Sequence, residues 1–96
     1  MRIVGRDKLY EFSGAHADAR SWIENWVADA EASTWKDTHD IKARYASASF
    51  LQANVVIFNV KGNSYRLEVT VAYKTSMVVV IWLGTHAEYD QRNKKR

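Results

Sequence analysis

The chain has 96 residues, of which 47% are hydrophobic and 26% are charged, as expected for one soluble globular domain spanning residues 1–96. It contains no cysteine, which excludes disulfides, thiolate metal ligands and cysteine nucleophiles. No apolar run approaches the roughly 20 residues that a membrane span needs, and the start has no secretory pattern. We therefore expect a cytoplasmic protein with no membrane association.

The basic residues are concentrated at one end of the chain. The formal net charge is +3, and four positive side chains lie within residues 91–96, namely Arg92, Lys94, Lys95 and Arg96. Such a basic tail is typical of a contact with phosphate or with an acidic partner. A short solvated end that keeps the protein soluble explains the same pattern equally well.

The first half of the chain is predicted to be helical. Residues 2–4 form a short edge strand, after which a helix capped by Asp7 ends near Gly14. A longer helix over residues 15–32 follows from apolar side chains at the helical spacing, Ala19, Trp22, Ile23, Trp26, Val27 and Ala30. We interpret the two tryptophans as core anchors packed on a sheet rather than as base-stacking groups. A third, shorter helix begins at Asp37, Thr38 or Asp40.

The second half is predicted to form a sheet. Residues 46–53 are a connector, and strands follow over residues 54–60, 65–73 and 77–83. The middle strand alternates strictly, so one face enters a core while the other presents Arg66 and Lys74 on an open, basic surface. The third strand is apolar throughout, which favours a central position with both faces buried. The predicted class is α+β, with N-terminal helices packed on one face of a small antiparallel sheet.

Thr85 and Glu88 have the spacing of a capping box, which predicts a short C-terminal helical turn directly after the third strand. His86 and Tyr89 are three residues apart and share one face of that turn.

These residues form a coherent set for cleaving RNA. Arg66 suits the stabilisation of charge on a phosphate, and His86 is the nearby group that titrates close to neutrality. Tyr89 is a proton donor or a stacking surface, and Lys61 on the preceding hairpin is a clamp for a neighbouring phosphate. The alternatives stay open at this point: Arg66 pairs with Glu68 or Asp90, His86 is an ordinary capping residue, and Tyr89 covers the sheet edge.

No metal site is predicted, because the three histidines His16, His39 and His86 lack ligand spacing. No cofactor motif is present either. The sequence also lacks a helix-turn-helix pattern for reading duplex DNA.

Two segments resemble the HigB toxin family: Phe58–Leu67, which contains Gly-Asn-Ser-Tyr-Arg, and Gly84–Asp90, which contains Thr-His-Ala-Glu-Tyr-Asp. Upstream, Ala32-x-x-Trp35 and Asp40-Ile41-Lys42 extend the resemblance. It implies a RelE/ParE-like fold and a metal-independent mRNA interferase that cuts message, commonly on the ribosome. It also implies neutralisation by a HigA-type helix-turn-helix antitoxin, with operator DNA bound only through the toxin–antitoxin complex.

Carried onto this chain, the resemblance implies catalytic roles for Arg66, His86 and Tyr89, with Lys61 as an additional candidate. RNA binding is assigned to Lys74, Arg92, Lys94, Lys95 and Arg96. The same fold also occurs in ParE-like toxins, which poison DNA gyrase and cut no RNA. A non-nuclease toxin of that kind, or an RNA-binding module without catalysis, is the alternative function.

Overall fold

A computed structural model describes residues 1–94 as an α+β fold. The elements are β1 Arg2–Val4, α1 Arg6–Ala15, α2 Arg20–Ala32, α3 Thr38–Arg44, β2 Ser49–Phe50, β3 Val55–Val60, β4 Tyr65–Ala72, β5 Met77–Thr85 and α4 His86–Lys94. A single 3-10 turn, Ala17–Ala19, joins α1 to α2. Within these residues no helix is long and apolar enough to cross a bilayer.

The five strands form one mixed sheet in the order β1-β5-β4-β3-β2. The strands β3, β4 and β5 pair antiparallel, as predicted, and β2 pairs antiparallel with β3. In contrast, β1 pairs parallel with β5, from Arg2 opposite Met77 to Val4 opposite Val79. The prediction of a purely antiparallel sheet was therefore wrong, although the edge position of residues 2–4 is confirmed. The strand β2 was missed because it is only two residues long and lies in a serine- and alanine-rich segment.

Two helix boundaries differ from the prediction. The helix expected over residues 15–32 begins only at Arg20, because α1 continues past Gly14 and the 3-10 turn separates the two helices. The cap of α1 is Gly5 rather than Asp7. Gly5 has a φ of +91°, and a Cβ added there would lie 3.1 Å from the Val80 carbonyl oxygen. Close approach to β5 therefore sets this helix start.

The core lies between the helices and one face of the sheet. Trp26 is 1% exposed and its ring meets Phe58 edge-on at 5.5 Å, so its prediction as a core anchor is confirmed. Trp22 is partly buried against the same core, near Tyr45. On the sheet, Leu67, Val69 and Val71 fill this face, as their alternation predicted. Each such side chain contributes about 1.5–3 kcal/mol by leaving water.

The opposite face of the sheet is not the open basic surface that we predicted. Arg66 and Glu68 are only 8% and 4% exposed, although both point away from the core. The covering element is α4, which extends for nine residues instead of a single turn. The prediction that β5 is buried on both faces was also wrong, since Ile81 is 36% exposed. Its central position, between β1 and β4, is confirmed.

Candidate functional site at the start of the C-terminal helix

The start of α4 is fixed by the predicted capping box. The Thr85 backbone N–H donates to the Glu88 carboxylate (2.8 Å), and the Glu88 N–H donates to the Thr85 hydroxyl (3.1 Å). The bond from the Thr85 N–H lowers the pKa of Glu88. The His86 N–H also donates to the Ser64 carbonyl, at 3.2 Å. These bonds hold the first turn of α4 on the β3–β4 hairpin.

Arg66 and His86 are in direct contact beneath this turn. The Arg66 Nη2 lies 2.9 Å from His86 Nδ1 and donates to Asn63 Oδ1 at 2.6 Å. The Nη1 atom donates to the carbonyls of Asn63 (3.3 Å) and Tyr65 (3.1 Å). The guanidinium is thus oriented by the hairpin turn on one side and by the imidazole on the other.

The bonding of the guanidinium determines the tautomer of His86. A guanidinium has only donors, so the Nδ1 atom that meets Arg66 must be the acceptor and carries no proton. The proton of the neutral ring therefore sits on Nε2, which lies 3.3 Å from the Asp90 carboxylate. Asp90 is one helical turn beyond His86, where the i, i+4 spacing brings the two side chains together. The sequence suggested Asp90 only as a possible partner of Arg66.

A second group of side chains adjoins this cluster on the outer face of β5. The Tyr89 ring lies 6.3 Å from the Trp82 ring at an interplanar angle of 41°, so the structure places Tyr89 against the sheet. The Arg92 guanidinium lies 5.2 Å from the Trp82 centroid, and its Nε is 3.3 Å from the Glu68 carboxylate. Sequence reasoning assigned no role to Trp82. Gly84 is the feature of the sequence that could have indicated the position of Trp82. It lies two residues later on the same face of the strand, where the missing side chain leaves room for a large ring.

Lys61 is directed to the helix side of the hairpin. Its ammonium lies 3.4 Å from an oxygen of Asp18, and the same carboxylate accepts a hydrogen bond from the Tyr65 hydroxyl at 2.8 Å. This bond lowers the pKa of Asp18 and raises the pKa of Tyr65. The described contacts of Lys61 therefore do not include Arg66 or His86.

The remaining predicted RNA-binding residues are dispersed. Lys74 lies in the turn after β4, whose end at Ala72 is six residues, or roughly 20 Å of extended strand, away from Arg66. Lys94 is exposed at the end of α4. Lys95 and Arg96 lie outside the described residues. Within residues 1–94, no group of three or more His, Asp or Glu residues is arranged to hold a metal ion.

The fold and the Arg66–His86 cluster together indicate a class of protein. An α+β domain with a five-stranded mixed sheet and four helices is compatible with the RelE-like toxins. The chain belongs to the HigB toxin family: the family model, described as the RelE-like toxic component of a toxin–antitoxin system, matches residues 19–92. A comparison with curated proteins found no match.

This membership confirms the resemblance seen in the sequence. The matched range runs from the 3-10 turn into α4 and includes Arg66, Trp82, His86 and Tyr89. The protein is accordingly a toxin of a toxin–antitoxin system, and the family implies an antitoxin as its partner.

Proposed function

We propose that this toxin is an mRNA interferase, a metal-independent endoribonuclease that cuts message on the ribosome and arrests translation. The observation that carries the proposal is the 2.9 Å contact between Arg66 and His86. It places a permanent cation, suited to phosphate oxygens, beside the one type of side chain that exchanges protons near neutral pH. RNA cleavage by an internal hydroxyl needs both functions at one phosphate.

The geometry supports a specific order of events. In the free protein Arg66 occupies the lone pair of His86 Nδ1, and Nε2 carries a proton facing Asp90, so the ring has no free basic site. An incoming phosphate competes for the guanidinium, because a charged phosphate oxygen is a stronger acceptor than a neutral imidazole. Once Arg66 turns to the phosphate, Nδ1 becomes available as a base. Substrate binding thereby activates the catalytic group.

The proposed reaction then balances without a further reagent. His86 Nδ1 removes the proton of the 2′-hydroxyl, the 2′-oxygen forms a bond to phosphorus, and the bond to the 5′-oxygen breaks. Arg66 stabilises the negative charge that builds on the phosphate. The departing 5′-oxygen takes a proton, for which Tyr89 is our candidate donor. The products are a 2′,3′-cyclic phosphate and a 5′-hydroxyl end.

Access to the cluster favours an approach over His86. The His86 and Asp90 side chains are 41% and 58% exposed, whereas Arg66 lies beneath α4. Within this proposal Lys94 on α4, with the residues of the basic tail, contacts flanking phosphates, whereas Arg92 is paired with Glu68. Lys61 and Lys74 act only if the RNA extends to the hairpin or to the far end of β4.

The partners follow from the same proposal. A HigA-type helix-turn-helix antitoxin would neutralise the toxin in the cytoplasm, and the complex alone would bind operator DNA. The ribosome would present the message to the site.

The test is induced expression in cells, followed by mapping of RNA 5′ ends. Wild type should produce new 5′-hydroxyl ends inside messages, and any cleavage of ribosome-free RNA by purified toxin should persist in EDTA. Arg66→Ala and His86→Ala should lose these ends, because each removes one half of the pair. The matched control is Arg2→Ala, which removes an exposed arginine on β1 that lies opposite Met77, at the far end of β5 from Gly84 and the site.

Three results would contradict the proposal in different ways. Ends carrying 5′-phosphate, or cleavage of ribosome-free RNA that requires Mg²⁺, would exclude this mechanism. Cleavage retained in both the Arg66→Ala and the His86→Ala variant would mean that the active site lies elsewhere. Growth arrest without new ends would favour a ParE-like gyrase poison or a binder without catalysis.

A further inference from the structure

Trp82 has an unusual position for the large side chain of an outer sheet face. Its indole lies directly over Gly84, where an added Cβ would be 2.4 Å and 2.6 Å from two atoms of the ring. The ring is partly exposed, in contrast to Trp26 at 1% and Trp35 at 4%. Trp22, which packs against the core, is partly exposed as well. Trp82 differs from all three in lying on the outer face of the sheet, opposite Glu68, where part of its surface is available to solvent.

Two cavities open on either side of this ring. One, of about 390 Å³, is bounded by α4 and lined by Trp82, Glu88, Gln91 and Arg92. The other, of about 350 Å³, is bounded by α1 and the strand itself and lined by Lys8, Glu11, Phe12, Ile81, Trp82 and Leu83. The cavity beside α1 adjoins a free strand edge, because β1 pairs only with Met77–Val79 and leaves the rest of β5 as the edge of the sheet among the described residues. Each cavity has room for one planar ring system.

The charges around the ring favour a nucleobase over a phosphate. The Glu88 carboxylate lines the cavity beside α4 and stays ionised, because the Thr85 N–H lowers its pKa. Arg92 faces the ring, yet its guanidinium also pairs with the Glu68 carboxylate. A phosphate would meet this negative charge, whereas the uncharged face of a base stacks on an indole regardless of sequence.

Trp82 is close to the Arg66–His86 pair. Gly84 lies directly opposite Arg66 in the β4–β5 ladder, and neighbouring strands are about 4.8 Å apart. Gly84, beneath the ring, and Arg66, whose guanidinium we assign to the phosphate, are therefore backbone neighbours on adjacent strands. That separation suits adjacent groups of a single RNA chain.

We propose that Trp82 is the floor of a nucleobase subsite, which stacks a base of the nucleotide next to the scissile phosphate. Gly84 makes the subsite possible by leaving room for the indole on the strand, and Tyr89 lies beside the ring. The Arg92 guanidinium lies over the ring in the free protein, and within this proposal it turns fully to Glu68 when a base stacks there. The inference rests on the proposed ribonuclease function and adds a residue that selects and positions the substrate.

The experiment measures binding separately from cleavage. A labelled single-stranded RNA, 2′-O-methylated at every nucleotide so that it cannot be cut, is titrated with wild type, Trp82→Leu and Trp82→Phe. Removing a base-stacking aromatic weakens binding by about 5-fold to 150-fold, and Trp82→Phe should recover most of this loss. The matched control is Tyr10→Leu, which removes an aromatic side chain that is 56% exposed on α1. Circular dichroism establishes that each variant is folded.

A second series of RNAs places one abasic nucleotide at successive positions. At a single position the missing base should weaken wild-type binding, and there Trp82→Leu should cause no further loss. Such non-additivity would identify the base that stacks on Trp82. Equal losses at every position, or no loss in Trp82→Leu, would overturn the subsite while leaving the ribonuclease proposal intact.

The two proposals fail in distinguishable ways. If wild type binds the free RNA no better than Trp82→Leu does, the base subsite is overturned, while new 5′-hydroxyl ends in cells would still support the nuclease. If the Trp82 coupling persists but cells show no cleavage ends, the nuclease function fails and the base subsite stands.

Discussion

The tight fit between Gly84 and Trp82 makes a quantitative prediction for Gly84→Ala. The new Cβ would lie 2.4 Å from the indole, whereas ordinary contact begins at 3.4 Å. The ring would have to move by about 1 Å, and such overpacking usually costs about 1–3 kcal/mol. The Cβ would also meet Glu88 Oε1 at 3.0 Å and so disturb the helix cap. We expect the free energy of unfolding to fall by about 1–3 kcal/mol.

The matched control for this variant is Gly14→Ala. Gly14 lies within α1, and an added Cβ there would have no atom within 4 Å. That substitution should stabilise the protein by about 0.4–1 kcal/mol, because alanine lowers the entropy of the unfolded chain. Urea denaturation of both variants, followed by far-UV circular dichroism, should therefore give changes of opposite sign.

A double variant, Gly84→Ala with Trp82→Ala, isolates the contact between residue 84 and the indole. In a Trp82→Ala background the ring is absent, so Gly84→Ala should lose most of its cost. Two results would refute the claim that Gly84 is needed to make room for the indole. One is a loss of unfolding free energy on Gly84→Ala that is unchanged when the indole is absent, and the other is a Gly84→Ala protein as stable as wild type.

The other predictions concern α4 and its first turn. Thr85→Ala removes the hydroxyl of the helix cap and should cost about 0.5–2 kcal/mol in urea denaturation. The pKa of Glu88 is lowered in the folded state, so its stabilising contribution is present above its ordinary value of 4.5 and is lost as the pH falls through the folded value. The stability difference between wild type and Glu88→Gln should accordingly shrink on acidification, and a difference that grew would contradict the assignment. Imidazole ¹⁵N spectra near neutral pH should show His86 protonated on Nε2, with exposed His39 as internal reference; protonation on Nδ1 would exclude the proposed bond to Arg66.

Much of this fold follows from local patterns in the sequence. The alternation in β4, the apolar spacing in α2 and the capping box at Thr85 each depend on neighbouring residues, and all three were predicted correctly. The parallel pairing of β1 was not predicted, because Arg2 and Met77 meet only through long-range packing. The start of α1 at Gly5 likewise depends on a contact with Val80, which no local pattern reveals.

The candidate site, like the fold, could be predicted from the sequence only in part. Arg66, His86 and Tyr89 were selected by residue type and resemblance, and the structure brings Arg66 and His86 into contact. The predicted exposure of Arg66 was wrong because strand alternation indicates which face a side chain takes, but not what covers it. Trp82 was overlooked since an aromatic residue within an apolar strand looks like core until its neighbour Gly84 is considered.

The polar attachment of α4 has a consequence for hydrogen exchange. None of its residues within the described range is buried. Its described contacts with the sheet and hairpin include the cap, the His86 N–H bond to Ser64, two charged hydrogen bonds and the rings around Trp82. A segment held in this way opens with a free energy well below that of global unfolding. Its amide protons should exchange faster than those of β4 beneath it, and added salt should accelerate them selectively. Local opening of this helix, at little expense to the core, would bring the Arg66 guanidinium into water.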